Sequence, residues 1–439
     1  MKVINIGLFD DKLFFVWGTE NFENILENYG WEKNGKKYLI KTHRIYDKDI
    51  LNNKLDKLDA IMAGATDEYG KLAIWKKISP SKYEKWIKNM TNFIKRGGGY
   101  AGHCGGANLI CELYNEPETF YERAIKEANF GIVGTKVYQK MAMPIIDELL
   151  GYPPDALEGA AYVIYDGTGP DAPQMGGIPI DFVIEKNHPI FKEYEGKTVK
   201  IFWGGGPGLI PGNRAIKILS YPENPNEIMP LHVWEYIGTG KGYVGKWVGL
   251  IESILEEFKD EKERKIIKDY LSHLSNKKLS LEDFMLKIYQ EGEEKWLEKI
   301  VNGVCKAKDW KKLNKTFEVR REGKWNGAMV EETYRDGRII ICGPHPEDKI
   351  WENGRIVDKE DTKENCLYDG FMKWIDYRNE YFSKWLLRRE AAWIARLDDD
   401  SLPPVTEKEK IVEVEEVKRE RLGKVIIRFF KKLFGDSKN

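Results

Sequence analysis

The sequence predicts an α/β doubly wound fold: a mostly parallel sheet with a helical insertion and a helical C-terminal extension. Three observations predict it. Leu58-Asp59-Ala60-Ile61-Met62-Ala63-Gly64-Ala65 reads as a buried parallel strand ending in a turn of small residues. Tyr83 to Lys95 carries Tyr83, Trp86, Ile87, Met90 and Ile94 at helical spacing and stops at the glycines 97–99. A short buried strand, Tyr100-Ala101, then runs into Gly102-His103-Cys104-Gly105-Gly106, and a helix through Leu109, Ile110 and Leu113 follows. Strand, helix, strand, turn and helix is the doubly wound order. Functional groups in such sheets collect at the carboxyl ends of strands, where Gly64-Ala65 and Cys104 both fall.

The other elements follow in order. Met1 to Gly7 reads as a first strand rather than a signal peptide. Further strands are expected at Tyr162–Tyr165, Ile180–Ile184, Val199–Trp203 and Ala215–Leu219, and again at Ala328–Glu332 and Ile339–Cys342. Between them, from about Trp247 to Leu313, the pattern turns helical and charged. Ile251, Ile254, Leu255 and Phe258 keep helical spacing, and so do Phe284, Ile288 and Trp296 over a longer stretch. That is far longer than an ordinary connection, and it reads either as a decorative insertion or as a cap over the Cys104 pocket. Leu367 to Leu397 is an aromatic-rich helical pattern, closed by Asp398-Asp399-Asp400 and Pro403-Pro404. The expected organisation is an α/β domain over 1–245 plus 316–365, a helical insertion over 246–315, a helical extension over 366–404, and a linker with a tail helix over 405–439.

That tail places Leu422, Val425, Ile426, Phe429, Phe430 and Leu433 on one helical face and Arg421, Lys424, Arg428, Lys431 and Lys432 on the rest. Such a helix suits an anionic membrane surface or a partner protein's groove, and equally suits docking onto the protein's own core.

Composition sets bounds. The 439 residues carry a net charge of −1, which gives no global pull toward nucleic acid or membrane. Five dispersed Cys lack a CxxC pair or a Cys/His zinc spacing, so neither a disulfide framework nor a zinc site is indicated, and no metal ligand is assigned. No apolar run is long enough to span a bilayer. There is no P-loop and no dinucleotide fingerprint, so no cofactor is expected. The expected location is cytoplasmic, possible membrane attachment through the tail apart, and the abundance of Lys and Glu resembles thermophile usage.

Chemistry concentrates at Gly102-His103-Cys104-Gly105-Gly106. Glycines two before and two after a nucleophile suit a sharp strand-to-helix turn, where Cβ atoms would collide. The turn exposes the sulfur, aims the following N–H groups at an oxyanion, and sets a helix N-terminus that favours thiolate. A buried structural Cys in a glycine-rich turn is the plain alternative. A thiolate needs a base. Of six His, His345 is the best placed: the apolar run Ile339 to Cys342 delivers it to a strand end, and Glu347 lies two residues on, able to hold its second nitrogen. His103 is expected to point away from Cys104. His43, His188, His232 and His273 have no adjacent carboxylate placed to orient them.

These residues resemble class I glutamine amidotransferase-like domains, and most closely the branch similar to the N-terminal domain of some biotin–protein ligases. Three blocks carry the resemblance: the Gly-Gly-Gly-Tyr lead into the elbow, Phe202-Trp203-Gly204-Gly205-Gly206-Pro207, and Gly343-Pro344-His345-Pro346-Glu347. It implies a flavodoxin-like sheet, with Cys104 as nucleophile, His345 as base and Glu347 as orienter. It also implies an oxyanion hole from the N–H of Gly105 and one near Gly64-Ala65. The glycine-rich stretch 204–208, with Gly205 and Gly206, reads as a tight turn bordering the site rather than a phosphate cradle. Amidotransferases of this kind carry Gln four residues after the nucleophile, where it helps hold substrate; here that residue is Asn108, so free glutamine is expected to be a poor substrate. The implied activity is cysteine-dependent hydrolysis or transfer of a small amide-like acyl group. The alternative is a scaffold with an idle site, acting through its insertion and tail.

Overall fold

The chain opens on β1 (Lys2–Phe9), as its first residues predict. The computed structural model describes residues 1–13, 16–117, 120–139, 164–165, 175–176, 178–191, 194–203, 206–222, 231–236, 242–275, 296, 299–300, 303, 310–315, 323–347 and 380–405. The next strands are β2 (Val16–Trp17), β3 (Gly30–Lys33), β4 (Lys36–Ile45), β5 (Ala60–Ala63), β6 (Ala65–Thr66), β7 (Gly99–His103), β8 (Glu112–Leu113) and β9 (Lys136–Tyr138). They are followed by β10 (Ile164–Tyr165), β11 (Met175–Gly176), β12 (Ile178–Ile184), β13 (Thr198–Trp203), β14 (Gly208–Ile210) and β15 (Ile216–Ser220). The last are β16 (Leu231–Tyr236), β17 (Trp310–Lys315), β18 (Gly327–Tyr334) and β19 (Gly337–Cys342). The described helices are α1 (Thr19–Leu26), α2 (Asp47–Leu51), α3 (Glu68–Ile78), α4 (Pro80–Lys95), α5 (Gly105–Ile110), α6 (Phe120–Ala128), α7 (Gly242–Glu256), α8 (Glu261–Ser275) and α9 (Glu380–Ile394).

The doubly wound, flavodoxin-like fold is present. Its parallel core runs β4-β1-β5-β7-β19, with every neighbouring pair parallel. In chain order that is 2-1-3-4-5, the flavodoxin order. Beyond β19 the sheet continues through antiparallel β18, β15, β12 and β13, and β3 adds an antiparallel edge beside β4. The central strands are buried on both faces, which explains why Ala60–Ala63 and Ile339–Cys342 read as continuous apolar runs.

Two apolar layers sandwich the sheet. On one side α3 and α4 bury Tyr69, Leu72, Trp86, Met90 and Ile94. On the other, α1 and α9 bury Phe22, Leu26, Trp385, Leu386 and Trp393. The described part of the aromatic pattern near the C-terminus, from Trp385 to Leu397, therefore belongs to the core, and α9 covers the face beneath β7 and β19. Gly99, at the start of β7, sits against this helix end: a Cβ there would lie 2.2 Å from the carbonyl oxygen of Ile394. Backbone cannot yield as a side chain can. Gly99→Ala is expected to cost about 1–3 kcal/mol, read as a lower melting temperature by calorimetry.

Two elements differ from the sequence expectation. The helix after the elbow ends at Ile110, not Leu113, because Cys111 turns extended and Leu113 pairs with Val137 in a parallel ladder. Trp310–Lys315, expected within the helical stretch, is a strand paired along its length with Leu231–Tyr236. Long-range pairing there overrides local pattern. Within the insertion, α7, α8 and the segment between them bury Ile254, Phe258, Ile267 and Leu271. Gly204, Gly205, most of 140–177, residues 366–379 and the 419–434 tail lie outside the described residues. Among the described residues no helix is long and apolar enough to cross a membrane.

Candidate active site

The carboxyl ends of the parallel strands gather the candidate residues. Cys104 follows β7 directly and holds φ 49° and ψ −106°, a left-handed conformation for a non-glycine residue. Such a conformation costs about 1–3 kcal/mol and persists only where its surroundings enforce it. The enforcement is visible. The Cys104 N–H donates to Cys342 O at 2.8 Å, and the Gly106 N–H donates to Gly64 O at 2.8 Å, stitching the elbow to β19 and to the turn after β5. A Cβ on Gly105 would lie 2.1 Å from Thr66 O, and one on Gly106 2.2 Å from Ala63 O. Only glycine fits at either position; the elbow pattern predicts this for Gly106, and Gly105 adds a demand the pattern does not contain.

His345 is pinned by its N–H donating to Phe202 O at 2.8 Å. Its Nδ1 lies 2.9 Å from Glu347 Oε1, and both side chains are fully buried. Burial disfavours the imidazolium. Cys104 and Glu347 beside it more than offset that, so the His345 pKa lies well above the ordinary histidine value. Glu347 is the converse case: burial pushes its pKa up, but His345 and then His103 hold it below the ordinary glutamate value. Cys104 itself is partly exposed, whereas Cys111 and Cys342 are buried, and burial pushes both of those thiols up.

The other predicted residues fall around this group. Gly64 joins β5 to β6, which Ala65 begins, and Gly105 begins α5. Asn108, one turn into α5, is buried and donates from Nδ2 to Gln139 Oε1 at 3.0 Å. Gly206 packs against the end of the His345 strand: a Cβ there would fall 1.6 Å from Gly343 O, and its carbonyl accepts from Trp203 Nε1 at 3.0 Å. Gly206 thus places the turn after β13 against β19.

Sequence reasoning missed four features. The first is Gly18 (φ 89°), where a Cβ would lie 2.8 Å from Glu347 Oε1; a lone glycine in a loop gives no signal of the carboxylate behind it. The second is His103, expected to point away. Its ring does turn to the α1 face and stacks on Phe22, but its Nδ1 comes within 3.8 Å of Glu347 Oε2, while Nε2 lies 2.8 Å from Glu390 Oε1. The third is a largely buried charge cluster around Lys71 of α3. Lys71 Nζ lies 2.9 Å from Asp11, 2.6 Å from Asp47 and 2.9 Å from Glu68. The three carboxylates lie close enough to hold a metal ion, but the Lys71 ammonium stands among them as counter-cation. His188 likewise has an unforeseen partner, Glu331 at 3.1 Å. A cleft of about 770 Å³ lined by Lys136, Arg214, Glu332 and Arg335 lies at the β18–β19 turn, away from Cys104.

No protein-family profile and no curated protein matches the chain. Among solved structures it is similar to a thua-like protein from Bacteroides uniformis, at 13% identity and a TM-score of 0.25 over 51% of this chain and 68% of that one. It is similar to a glutamine amidotransferase from Thermotoga maritima at 13% identity and a TM-score of 0.24, over 68% of this chain and 98% of that one. A cytoplasmic protein from Salmonella typhimurium is similar at 12% identity and a TM-score of 0.24, over 52% and 82% of the two chains. The resemblance to amidotransferase-related, flavodoxin-like proteins is distant and of low identity, and nothing about activity rests on it.

Proposed function

We propose that the chain is a cysteine-dependent amidohydrolase or amidotransferase-like enzyme acting on a small amide-like acyl group. One observation supports this reading: a histidine held by a buried glutamate on one ring nitrogen follows β19, and a cysteine on a strained elbow follows its parallel neighbour β7. Nucleophile, base and orienter in that order are what acyl transfer needs. Cys104 Sγ attacks the carbonyl carbon, forming the C–S bond. His345 carries the proton to the departing amine as the C–N bond breaks. Water, or a second amine, then attacks the thioester and restores the thiol. The N–H of Gly105 and the Gly64-Ala65 turn are the proposed donors to the oxyanion. Asn108, already bonded to Gln139, stands where a glutamine-binding side chain is expected, so glutamine is a poor substrate in this reading.

The test is intact-protein mass spectrometry after exposure to a panel of small amides and activated esters, with ammonia release from glutamine assayed alongside. The expected result is an acyl adduct mapping to Cys104, absent in Cys104→Ala, with little ammonia from glutamine. Strong Cys104-dependent glutaminase activity would correct the substrate. No adduct from any acyl donor would leave an idle, scaffold-like site.

A further inference from the structure

Behind Glu347 lies a second imidazole–carboxyl pair. His103 precedes Cys104 in the chain and is fully buried. Its ring stacks on Phe22 of α1, with centroids 5.2 Å apart and planes 14° apart. Its Nε2 shares a 2.8 Å hydrogen bond with Glu390 Oε1, contributed by α9 from the far end of the chain. Its Nδ1 lies 3.8 Å from Glu347 Oε2. Neither that Nδ1 nor that Oε2 has a hydrogen-bond partner among the described residues, although both are buried. The buried groups therefore form a row behind the partly exposed Cys104: His345, Glu347, His103, Glu390.

A buried carboxylate reverts to its neutral form unless cations or donors face it. His345 faces only one oxygen of Glu347. A neutral Glu347 could no longer hold the His345 imidazolium through charge. We propose that His103 and Glu390 are positioning residues for Glu347: an outer pair, supplied in part by the C-terminal helix, that keeps Glu347 ionised and turned toward His345. This rests on the assignment of Cys104, His345 and Glu347 above. The titratable groups around His103 are Glu390 from α9, Glu347 and His345 from the loop after β19, Cys342 from β19, and Cys104 itself. Burial opposes a charge on His103, but Glu390 and then Glu347 outweigh it, and the His103 pKa stands above the ordinary value.

The experiment uses the full chain and two readouts. Selective isotope labelling of histidine follows the charge of His103 by NMR. The pH dependence of Cys104 alkylation by iodoacetamide follows the reactive group. In the unaltered protein His103 should remain imidazolium above pH 6.5, the ordinary midpoint. In Glu390→Gln, which preserves shape and a polar contact, that midpoint should fall by about one pH unit, and the acid limb of Cys104 alkylation should move to higher pH. His103→Gln should move the limb the same way, because it removes the second cation beside Glu347, the one facing Oε2, and Glu390→Asp, which keeps the carboxylate, should leave the limb close to its place in the unaltered protein. A lower melting temperature with an unmoved acid limb overturns the proposal and leaves the pair a structural contact. So does an ordinary His103 midpoint in the unaltered protein. If Cys104 does not react at all, the enzyme reading fails, while the His103 midpoint still decides whether Glu390 and Glu347 set its charge.

Discussion

Lys71→Met is expected to lower stability by about 3–5 kcal/mol at pH 7, because removing one partner of a buried ion cluster leaves charges unpaired. In a core of this size that is a fall of roughly 10 °C in melting temperature. Lys71 is 4% exposed and its ammonium lies within 2.9 Å of Asp11, Asp47 and Glu68. Methionine keeps the volume and the unbranched stem, so packing is nearly conserved while the cation disappears. Burial already pushes Asp47 and Glu68 above their ordinary values, whereas Asp11 is held below its own by Lys71 against the effect of burial. The sign with pH follows. A carboxyl whose folded pKa exceeds its unfolded one destabilises the fold as pH rises through the unfolded value. Without Lys71, Asp11 joins that class. The deficit of Lys71→Met against the unaltered protein should therefore shrink between pH 7 and pH 5, measured by thermal melting at both. An equal deficit at the two pH values, or none at either, would show that Lys71 is not the counter-charge of this cluster.

The second large effect is on chemistry. His345→Gln should slow formation of the Cys104 acyl adduct by roughly 10²–10⁴-fold, the usual range for losing a general acid–base. Glutamine has no group that can carry the proton, though it can still fill the space against Phe202. Glu347→Gln should slow it less, since the imidazole stays but its Nδ1 no longer faces a carboxylate. Rates of adduct growth by mass spectrometry, with melting curves to confirm the folds, separate the two. Equal rates in all three proteins would remove His345 from the reaction.

The elbow and the His345 strand were legible because each is written in adjacent residues. Glycines 102, 105 and 106 are demanded by backbone contacts at 2.4, 2.1 and 2.2 Å, and steric demands of that kind leave a local pattern. The apolar run Ile339–Cys342 marks a strand buried on both faces, so the first polar residue beyond it is a candidate. The doubly wound order was legible for the same reason. The rest depends on distant segments meeting. Glu390 reaches His103 across 287 positions, and Lys71 gathers carboxylates that follow β1, β4 and β6. Gly18 acquires its role only because Glu347 folds against it. No spacing rule links such residues. The 310–315 strand was misread because Trp310-Lys311-Lys312-Leu313 is too short to fix a period, and only its partner, Leu231–Tyr236, decides the matter.

The central claim is that His345, held by Glu347, activates Cys104. Its most direct test is the rate of Cys104 alkylation by iodoacetamide in native protein, mapped by mass spectrometry from pH 5 to 9, for the unaltered chain and for His345→Gln, with glutathione as a free-thiol reference. Because Cys104 is only partly exposed, access alone should make it slower than glutathione. Below pH 7 the reverse is expected: Cys104 labels faster than glutathione and well ahead of Cys111 and Cys342, and His345→Gln abolishes the advantage. Labelling of Cys104 slower than glutathione at every pH, and unchanged in His345→Gln, would contradict it.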